Sequence, residues 1–179
     1  FDKMHGLGND FAVFEDWDAH VDLSPSQVAF LCNRRFGIGA DGLIFIRRSS
    51  IEGCRAFMHY INADGTLAQM CGNGIRCMTK YLVDHGYIDE SEPFVDIETR
   101  GGVRRVGISR DAQGRFASAA VDMGAPVLEP TLIPSKCAAN AVAPDGTPYV
   151  REAPIGTPWG EFFFTLVSMG NPHAVCFIT

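Results

Sequence analysis

Several features are scarce in this chain of 179 residues, and each absence removes a class of function. No basic stretch is longer than a pair such as Arg47-Arg48, and the formal net charge is −6. Because nucleic-acid binding depends on Lys and Arg that neutralise phosphates, this balance disfavours nucleic acid and favours a small-molecule partner. No apolar run approaches the roughly 20 residues that span a bilayer, and the N-terminus lacks the layout of a secretory signal. We therefore expect no membrane association and a cytoplasmic location.

Metal-binding patterns are also absent. The six cysteines include no Cys-x-x-Cys pair, and no His-x-x-x-His pair accompanies them. Structural zinc sites are usually built from such pairs, so we expect no metal. A chain of this size can form a sufficient hydrophobic core without disulfides, so we expect the cysteines to be free thiols. Hydrophobic residues make up 46% and charged residues 20% of the chain, as in ordinary globular proteins.

Seven segments have the alternating or continuous apolar pattern of strands, bounded by Gly, Asn and Asp. They are 11–14, 43–46, 56–61, 94–98, 103–109, 118–123 and 162–167. Asp111-Ala112-Gln113-Gly114 predicts a hairpin turn between two of them. Two helices among these strands, without a regular β-α-β alternation, predict an α+β domain in which a sheet folds around a helix.

The two helices are marked by their ends. The first opens at Ser24, with Pro25 at its first position and Gln27 completing a capping box, and should stop at Gly37. The second begins near Cys71, and Gly86 is its expected C-terminal cap. One face of this second helix is apolar at the helical spacing, and it comprises Ile75, Met78, Thr79, Leu82 and Val83.

The Cys71-Gly72-Asn73-Gly74 loop is the main candidate for chemistry. It lies where a loop becomes a helix, so first-turn N–H groups and the positive end of the helix dipole converge on the thiol and favour the thiolate. The glycines let backbone N–H groups approach an anion, and a substrate carboxylate suits the same helix end. A small buried cysteine is the commoner situation, and a cysteine hydrolase or a redox cysteine could use this geometry, so the loop alone leaves these alternatives open.

Three further polar turns accompany the cysteine loop. They are His5-Gly6-Leu7-Gly8-Asn9-Asp10-Phe11, Asn62-Ala63-Asp64-Gly65 and Ser168-Met169-Gly170-Asn171-Pro172-His173. Asn side chains at such places often cap their own turns, so spacing alone supports structural and ligand-binding roles equally.

With Gly37-Ile38-Gly39-Ala40-Asp41-Gly42, these turns and the Cys71–Cys77 segment form five blocks that resemble the signature blocks of diaminopimelate epimerases in identity, order and approximate spacing. The resemblance runs from Phe1 to about Met123 and resumes at residues 166–178. The proline-rich stretch 124–158 carries little of it, and this stretch is either a linker or an excursion at the edge of a second domain.

The resemblance implies an enzyme of two pseudo-symmetric domains that face each other across a cleft. Each domain has a mixed, largely antiparallel sheet wrapped around a central helix, and each supplies one catalytic cysteine. One thiolate removes the α-proton and the opposite thiol protonates the other face, which interconverts LL- and meso-diaminopimelate for lysine and peptidoglycan precursors. No cofactor is expected. Residues 1–122 would form the first domain and 123–179 the truncated start of the second, and a homodimer would suit such an enzyme.

Carried over residue by residue, Cys71 resembles the acid/base cysteine of the first domain. Gly72 and Asn73 resemble the loop that binds the substrate α-carboxylate through main-chain N–H groups. The resemblance implies further substrate contacts from Asn9, Asn62 and Asn171, and it implies that His173 adjusts the protonation of the catalytic cysteine. The family often has Gln where this chain has Gly42, so that side-chain contact is lost or replaced.

The larger departure is the second cysteine, which the family carries in a Gly-Ser-Gly-type loop well beyond the Asn-Pro-His block. None of the other five cysteines is followed by Gly-x-Gly. The apolar run 174–178 predicts a strand still in progress where the chain ends, as in a truncated protein. We therefore expect the 179-residue chain alone to be inactive as an epimerase.

Other functions remain open from the sequence. The chain could be an inactive fragment or an amino-acid-binding module, or a proline racemase-like or phenazine-biosynthesis-like isomerase, although the His5–Phe11 block points away from both isomerases. A cysteine hydrolase would need His5, His59 or His173 beside Cys71.

Overall fold

The computed structural model describes residues 1–178, and Thr179, the last residue of the predicted second domain, lies outside the described residues. The chain folds into two compact units, one from Phe1 to Asp122 and one from Met123 onward. Among residues 1–178, no helix is both long enough and apolar enough to cross a membrane.

The first unit holds a seven-stranded sheet whose strands lie side by side in chain order. The strands are β1 (Asp2–Gly6), β2 (Asn9–Glu15), β3 (Gly42–Arg47), β4 (Ala56–Asn62), β5 (Phe94–Thr99), β6 (Gly102–Arg110) and β7 (Phe116–Val121). The β2–β3 and β4–β5 pairs are parallel, and the other neighbouring pairs are antiparallel. Each parallel pair needs a crossover, and each crossover contains one helix, α1 (Pro25–Cys32) or α2 (Gly72–Asp84).

Helix α2 is the element around which the sheet curls. It contacts both edge strands, β1 and β7, and also β2, β3 and β4. A helix reaches both edges of a seven-stranded sheet only when the sheet wraps around it, which confirms the predicted α+β fold. The predicted apolar face points inward, since Ile75, Met78 and Leu82 are fully buried in the main core. Burial of each such side chain contributes about 1.5–3 kcal/mol.

Helix α1 covers the opposite face of the sheet. Its Val28 and Cys32 are buried against Leu43 and Phe45 of β3, which form a second core cluster. The strongly apolar β3 is thus buried on both of its faces, and this explains its continuous apolar sequence.

The predicted helix starts are confirmed, and one predicted end is wrong. Ser24 caps α1 in a reciprocal capping box with Gln27. However, α1 ends at Cys32 and not near Gly37, because Asn33 turns to an extended conformation. The Asn33 carboxamide oxygen accepts the N–H groups of Arg35 and Phe36 at 2.8 and 3.0 Å, and so offers them an alternative to helical bonds.

The second unit contains three antiparallel strands, β10–β12, and a short hairpin, β8–β9. Their bounds are β8 (Ala141–Val142), β9 (Pro148–Tyr149), β10 (Ala153–Thr157), β11 (Gly160–Ser168) and β12 (Pro172–Val175), and a 3-10 turn spans Pro130–Leu132. The proline-rich stretch is packed in part, since its Ile133 and Val150 form a small core with Leu166. The strand expected to run to the end of the chain is a wrong prediction, because β12 ends at Val175.

The carboxylate of Glu15 at the end of β2 makes stability depend on pH. It accepts hydrogen bonds from Tyr81 Oη at 2.9 Å, Tyr87 Oη at 3.0 Å and Trp17 Nε1 at 3.2 Å. Partial burial opposes ionisation, but these three donors together hold the pKa of Glu15 below its ordinary value of 4.5. A group with a lowered pKa in the folded state stabilises the fold above its unfolded pKa, and loses this contribution as pH falls through the folded value.

We therefore expect Glu15→Gln to lower the free energy of unfolding by about 1 kcal/mol at pH 7, and by less at pH 3, because pH 3 lies below the ordinary pKa of 4.5 under which the contribution of the charge begins to be lost. Urea unfolding at the two pH values measures the difference. Glu52→Gln, in the exposed loop between β3 and β4, is the control. A deficit for Glu15→Gln that is as large at pH 3 as at pH 7 would contradict the role of the charge.

Candidate functional site

Cys71 is the N-cap residue of α2, as the sequence predicts. Its partly buried Sγ accepts a hydrogen bond from the Gly74 N–H at 3.4 Å. The same thiol donates to Asn9 Oδ1 at 3.8 Å. The first contact stabilises a thiolate and the second a protonated thiol. The sulfur therefore has a partner in each protonation state, as a group that both takes and returns a proton requires.

Two glycines allow this close arrangement. A Cβ on Gly74 would lie 3.0 Å from Ile44 Cδ1, and a Cβ on Gly6 would lie 3.1 Å from Asn73 Cβ. The first turn of α2 can therefore approach both β3 and the β1–β2 hairpin. This approach brings Asn9, 62 residues earlier in the chain, to the cysteine.

A chain of hydrogen bonds, here called the amide chain, runs from Arg76 through Asn73 and Asn9 to Asp41. Arg76 Nη2 donates to Asn73 Oδ1, Asn73 Nδ2 donates to Asn9 Oδ1 at 3.3 Å, and Asn9 Nδ2 donates to Asp41 Oδ2 at 2.8 Å. The guanidinium of Arg76 can only donate and the carboxylate of Asp41 can only accept. Each hydrogen bond of the amide chain therefore has its donor on the Arg76 side and its acceptor on the Asp41 side. Asn9 consequently presents its oxygen, and not its nitrogen, to Cys71.

An ion network holds the Asp41 end of the amide chain. Arg34 Nη2 contacts Asp41 Oδ1 at 2.8 Å and Asp10 Oδ1 at 2.6 Å, and Lys3 Nζ lies 2.9 Å from Asp10 Oδ2. The hydrogen bonds from Arg34, opposed by partial burial and reinforced by Lys3, hold the pKa of Asp10 well below its usual range. Asp10 is therefore a fixed negative charge that balances the neighbouring cations.

Asn62 lies at the end of β4, in a turn that it helps to close. Its Nδ2 donates to Thr66 Oγ1 at 3.0 Å, and Asp64 Oδ1 accepts from the same hydroxyl at 2.6 Å. Gly65 has φ +85°, and a Cβ there would lie 2.5 Å from Pro25 of α1. The structure thus gives Asn62 a turn-capping role, and its contact with a ligand stays a prediction.

Gly42 is surrounded too closely for any side chain. A Cβ there would lie 2.4 Å from Tyr60 Cε2 and 2.7 Å from the Ile61 carbonyl oxygen. The Tyr60 ring therefore takes the space that a Gln at position 42 would need. Burial, and to a lesser extent the negative charge that Cys71 can carry, raise the pKa of Tyr60. Tyr60 belongs to the surroundings of Cys71.

Asn171 and His173 belong to the second unit, at the turn between β11 and β12. Gly170 supplies the positive φ of +94° that this turn needs. His173 Nε2 lies 3.2 Å from Asn171 Oδ1, and both side chains are exposed. The two residues are thus held together by a direct contact, and their assigned roles stay predictions.

No histidine is hydrogen-bonded to Cys71 among the described residues of the first unit, where the sulfur bonds to Asn9 and Gly74. His59 is buried between the rings of Phe45 and Phe57, and burial lowers its pKa to about 4. The hydrolase alternative thus finds no base at Cys71 within this unit.

The remaining cysteines differ from Cys71 in their positions. All six are free thiols. Cys32 and Cys77 lie within helices and are buried, and burial raises the pKa of both thiols. Within residues 1–178, no group of three or more His, Cys, Asp and Glu side chains is arranged to hold a metal ion.

Sequence reasoning assigned no role to Asp41, Arg34, Tyr60 or Arg76. Arg76 carried a detectable signal, because a long side chain four residues after Gly72 can reach back over the first helical turn. The positions of the other three depend on the pairing of strands and loops that are distant in the chain.

Comparisons with known proteins indicate the same family as the five sequence blocks. A family model described as diaminopimelate epimerase matches residues 1–129. A protein of Leptospira biflexa named diaminopimelate epimerase is 38% identical over 178 residues, which cover 99% of this chain and 60% of that protein. The chain thus spans about 60% of the length of the curated relatives it matches.

Solved structures with the same fold are more distant in sequence. A probable proline racemase from Agrobacterium radiobacter superposes with a TM-score of 0.61 at 18% identity, over 84% of this chain and 38% of that protein. A PhzF-family phenazine biosynthesis protein of Bacillus anthracis gives a TM-score of 0.58 at 17% identity, over 98% of this chain and 52% of that protein. These similarities show the shared α+β architecture.

Proposed function

Because this chain belongs to the diaminopimelate epimerase family, we propose that the whole protein is a cofactor-independent amino-acid epimerase that interconverts LL- and meso-diaminopimelate. The observation that carries the proposal is the position of Cys71, a thiol at the N-cap of α2 with a donor and an acceptor on its sulfur. The same helix end also offers a site for a carboxylate.

In the proposed reaction, the Cys71 thiolate removes the α-proton of one stereoisomer and becomes a thiol. The electron pair of the broken C–H bond stays on the α-carbon and is delocalised into the carboxylate. A second thiol then gives its proton to the opposite face of the carbon and becomes a thiolate. The configuration is inverted, and the reverse reaction uses the same two groups in exchanged roles.

The second thiol is proposed to come from outside these 179 residues. Among the helices that the structure describes, none begins at any of the other five cysteines, and the chain spans about 60% of the length of its curated relatives. One domain would then supply Cys71 and the other the partner thiol. On this proposal, the 179-residue chain does not epimerise by itself.

The substrate α-carboxylate is proposed to bind at the start of α2. The first N–H groups of a helix lack intrahelical acceptors, and here those of Gly72 and Asn73 lie beside the cysteine. The helix dipole adds about half a positive charge at this end. Asn9, Asn62 and Asn171 are proposed as further substrate contacts, and His173 as the residue that adjusts the protonation of the catalytic thiol.

A second candidate function concerns the 179-residue chain alone. Gly72 and Asn73, here called the carboxylate loop, lie beside Cys71 in the first unit, which folds around its own core. The chain could therefore act as an amino-acid-binding module without catalysing inversion. The proline racemase-like and phenazine-biosynthesis-like alternatives rest on structures that share the fold at 18% and 17% sequence identity. Similarity at this level supports a common fold but not a common activity.

Proton exchange tests the proposed function. The whole protein is incubated in deuterated water with LL-diaminopimelate, meso-diaminopimelate or proline. We expect loss of the α-proton signal by NMR and interconversion of the diaminopimelate isomers by chiral chromatography, but no change in proline. The absence of exchange with either diaminopimelate isomer would refute the proposal, and exchange with proline alone would support the racemase alternative.

A further inference from the structure

Arg76 is a partly buried cation whose hydrogen-bond partners are neutral. Its Nε donates to the Gly72 carbonyl oxygen at 3.2 Å, and its Nη2 donates to Asn73 Oδ1. Among the described residues, Arg76 takes part in no ion pair within 4 Å. The neighbouring cations differ, since Lys3 and Arg34 bind Asp10 and Lys80 binds Asp84. Arg76 therefore leaves an unbalanced positive charge one turn into α2.

The two hydrogen bonds of Arg76 act on the two residues of the carboxylate loop. In a trans peptide the C=O and the next N–H point in opposite directions. An anchor on the Gly72 carbonyl therefore also sets the direction of the Asn73 N–H. The second bond holds the Asn73 carboxamide with its nitrogen toward Asn9, which keeps the Asn9 oxygen toward Cys71.

We propose that Arg76 is a positioning residue that orients the carboxylate-binding N–H groups at the start of α2 and supplies the uncompensated charge that draws a carboxylate to Cys71. Arg suits both tasks, because its planar fork can bind two acceptors at once and remains charged at any physiological pH. The inference rests on the proposed function in one respect, namely that the bound carboxylate belongs to an amino acid.

The test compares two alkylating probes at Cys71 in the 179-residue chain. Iodoacetate carries a carboxylate, and iodoacetamide is a neutral analogue of nearly the same shape. Both react with the thiolate and release iodide, so the fraction of thiolate cancels in the ratio of their rate constants. The ratio therefore reports on attraction of the carboxylate, and site-resolved mass spectrometry gives it for each cysteine. The exposed Cys137 provides an internal reference.

For Arg76→Gln we expect the iodoacetate/iodoacetamide ratio at Cys71 to fall about threefold to tenfold, because one nearby charge is lost. Arg76→Lys keeps the charge but cannot form the same fork, so its ratio should lie between that of the wild type and that of Arg76→Gln. Lys80→Gln is the matched control, since it removes a cation one turn further along α2 that is already paired with Asp84. Its ratio should stay at the wild-type value.

The proposal is wrong if Arg76→Gln leaves the ratio unchanged, or if Lys80→Gln lowers it equally. Should Arg76→Gln fail to fold, Arg76→Lys decides, because a ratio equal to that of the wild type would exclude the positioning role. In the whole protein, Arg76→Lys should raise KM for diaminopimelate more than it lowers kcat. A shifted ratio together with no α-proton exchange by the wild-type protein would retain the role of Arg76 and refute the epimerase.

Discussion

Cys71→Ala in the whole protein is expected to lower the rate of isomer interconversion at least about a thousandfold, because inversion needs a proton-transfer group on each face of the α-carbon. The Cys71→Ser variant should be nearly as inactive. A serine hydroxyl can still accept the Gly74 N–H, but it is too weak an acid to be ionised near neutral pH.

The two isomers should respond differently to the loss of Cys71. The isomer whose α-proton faces Cys71 has no base left, so its proton should no longer exchange with deuterated water. The other isomer presents its proton to the second thiol, which can remove it and return a deuteron to the same face. Exchange with retention for one isomer alone is therefore the signature of a two-thiol mechanism, and NMR with chiral separation measures it.

Cys54→Ala is the control for this prediction, because Cys54 is a partly buried free thiol in the loop before β4. It should epimerise at the wild-type rate. Normal interconversion by Cys71→Ala would show that Cys71 is not a catalytic residue, and loss of activity in both variants would point to a general effect of cysteine removal.

Gly42→Gln is expected to destabilise the first unit by about 3 kcal/mol, the largest stability effect we predict for a single change. The new Cβ would lie 2.4 Å from Tyr60 Cε2 and 2.7 Å from the Ile61 carbonyl oxygen, so both a ring and a backbone atom must move. Because Gly42 is paired with Asn62 in the sheet, the shift would also reach the end of β4. Urea unfolding measures the loss.

Tyr60→Ala removes a buried ring and is destabilising by itself, but it should cost less in the Gly42→Gln background than in the wild type, because there it also removes the collision with the new side chain. The coupling between the two changes, taken from a double-mutant cycle, should be about 1–2 kcal/mol. Gly107→Ala on β6 is the matched control, because a Cβ there meets only the Ala120 carbonyl oxygen at an ordinary 3.7 Å. A Gly42→Gln protein as stable as Gly107→Ala would contradict this account of Tyr60.

Features whose signals lie within one segment were predicted well. The capping box of Ser24 and Gln27, the N-cap position of Cys71, and the inward face of α2 all follow from residues a few positions apart. The four strands that the sequence did not predict, β1, β8, β9 and β10, have five residues or fewer and no clear alternation of apolar and polar residues. The wrong end of α1 came from a side chain, since the Asn33 carboxamide competes for N–H groups that a periodicity argument assigns to the helix.

The contacts around Cys71 required the tertiary structure. Asn9 reaches Asp41 across 32 residues and Asn73 across 64, and both contacts depend on the curl of the sheet around α2 and on the register of β1, β2 and β3. The collision between a side chain at position 42 and Tyr60 likewise exists only once β3 and β4 are paired. The pattern of apolar residues along the sequence cannot specify these contacts. It indicates which side chains are buried, but the hydrophobic effect is non-directional and does not determine which polar groups meet.

The sequence by itself therefore determined the fold class, the helix starts, the cysteine at the N-cap of α2 and the family to which the chain belongs. Only the tertiary structure decided which groups surround that cysteine, namely the oxygen of Asn9, the amide chain from Arg76 to Asp41 and the ring of Tyr60 beside Gly42. The physical reason is the separation along the sequence of the residues that interact. Caps and apolar faces arise from neighbours within one or two helical turns, whereas hydrogen-bond direction and steric exclusion at the site arise between segments that packing alone brings together.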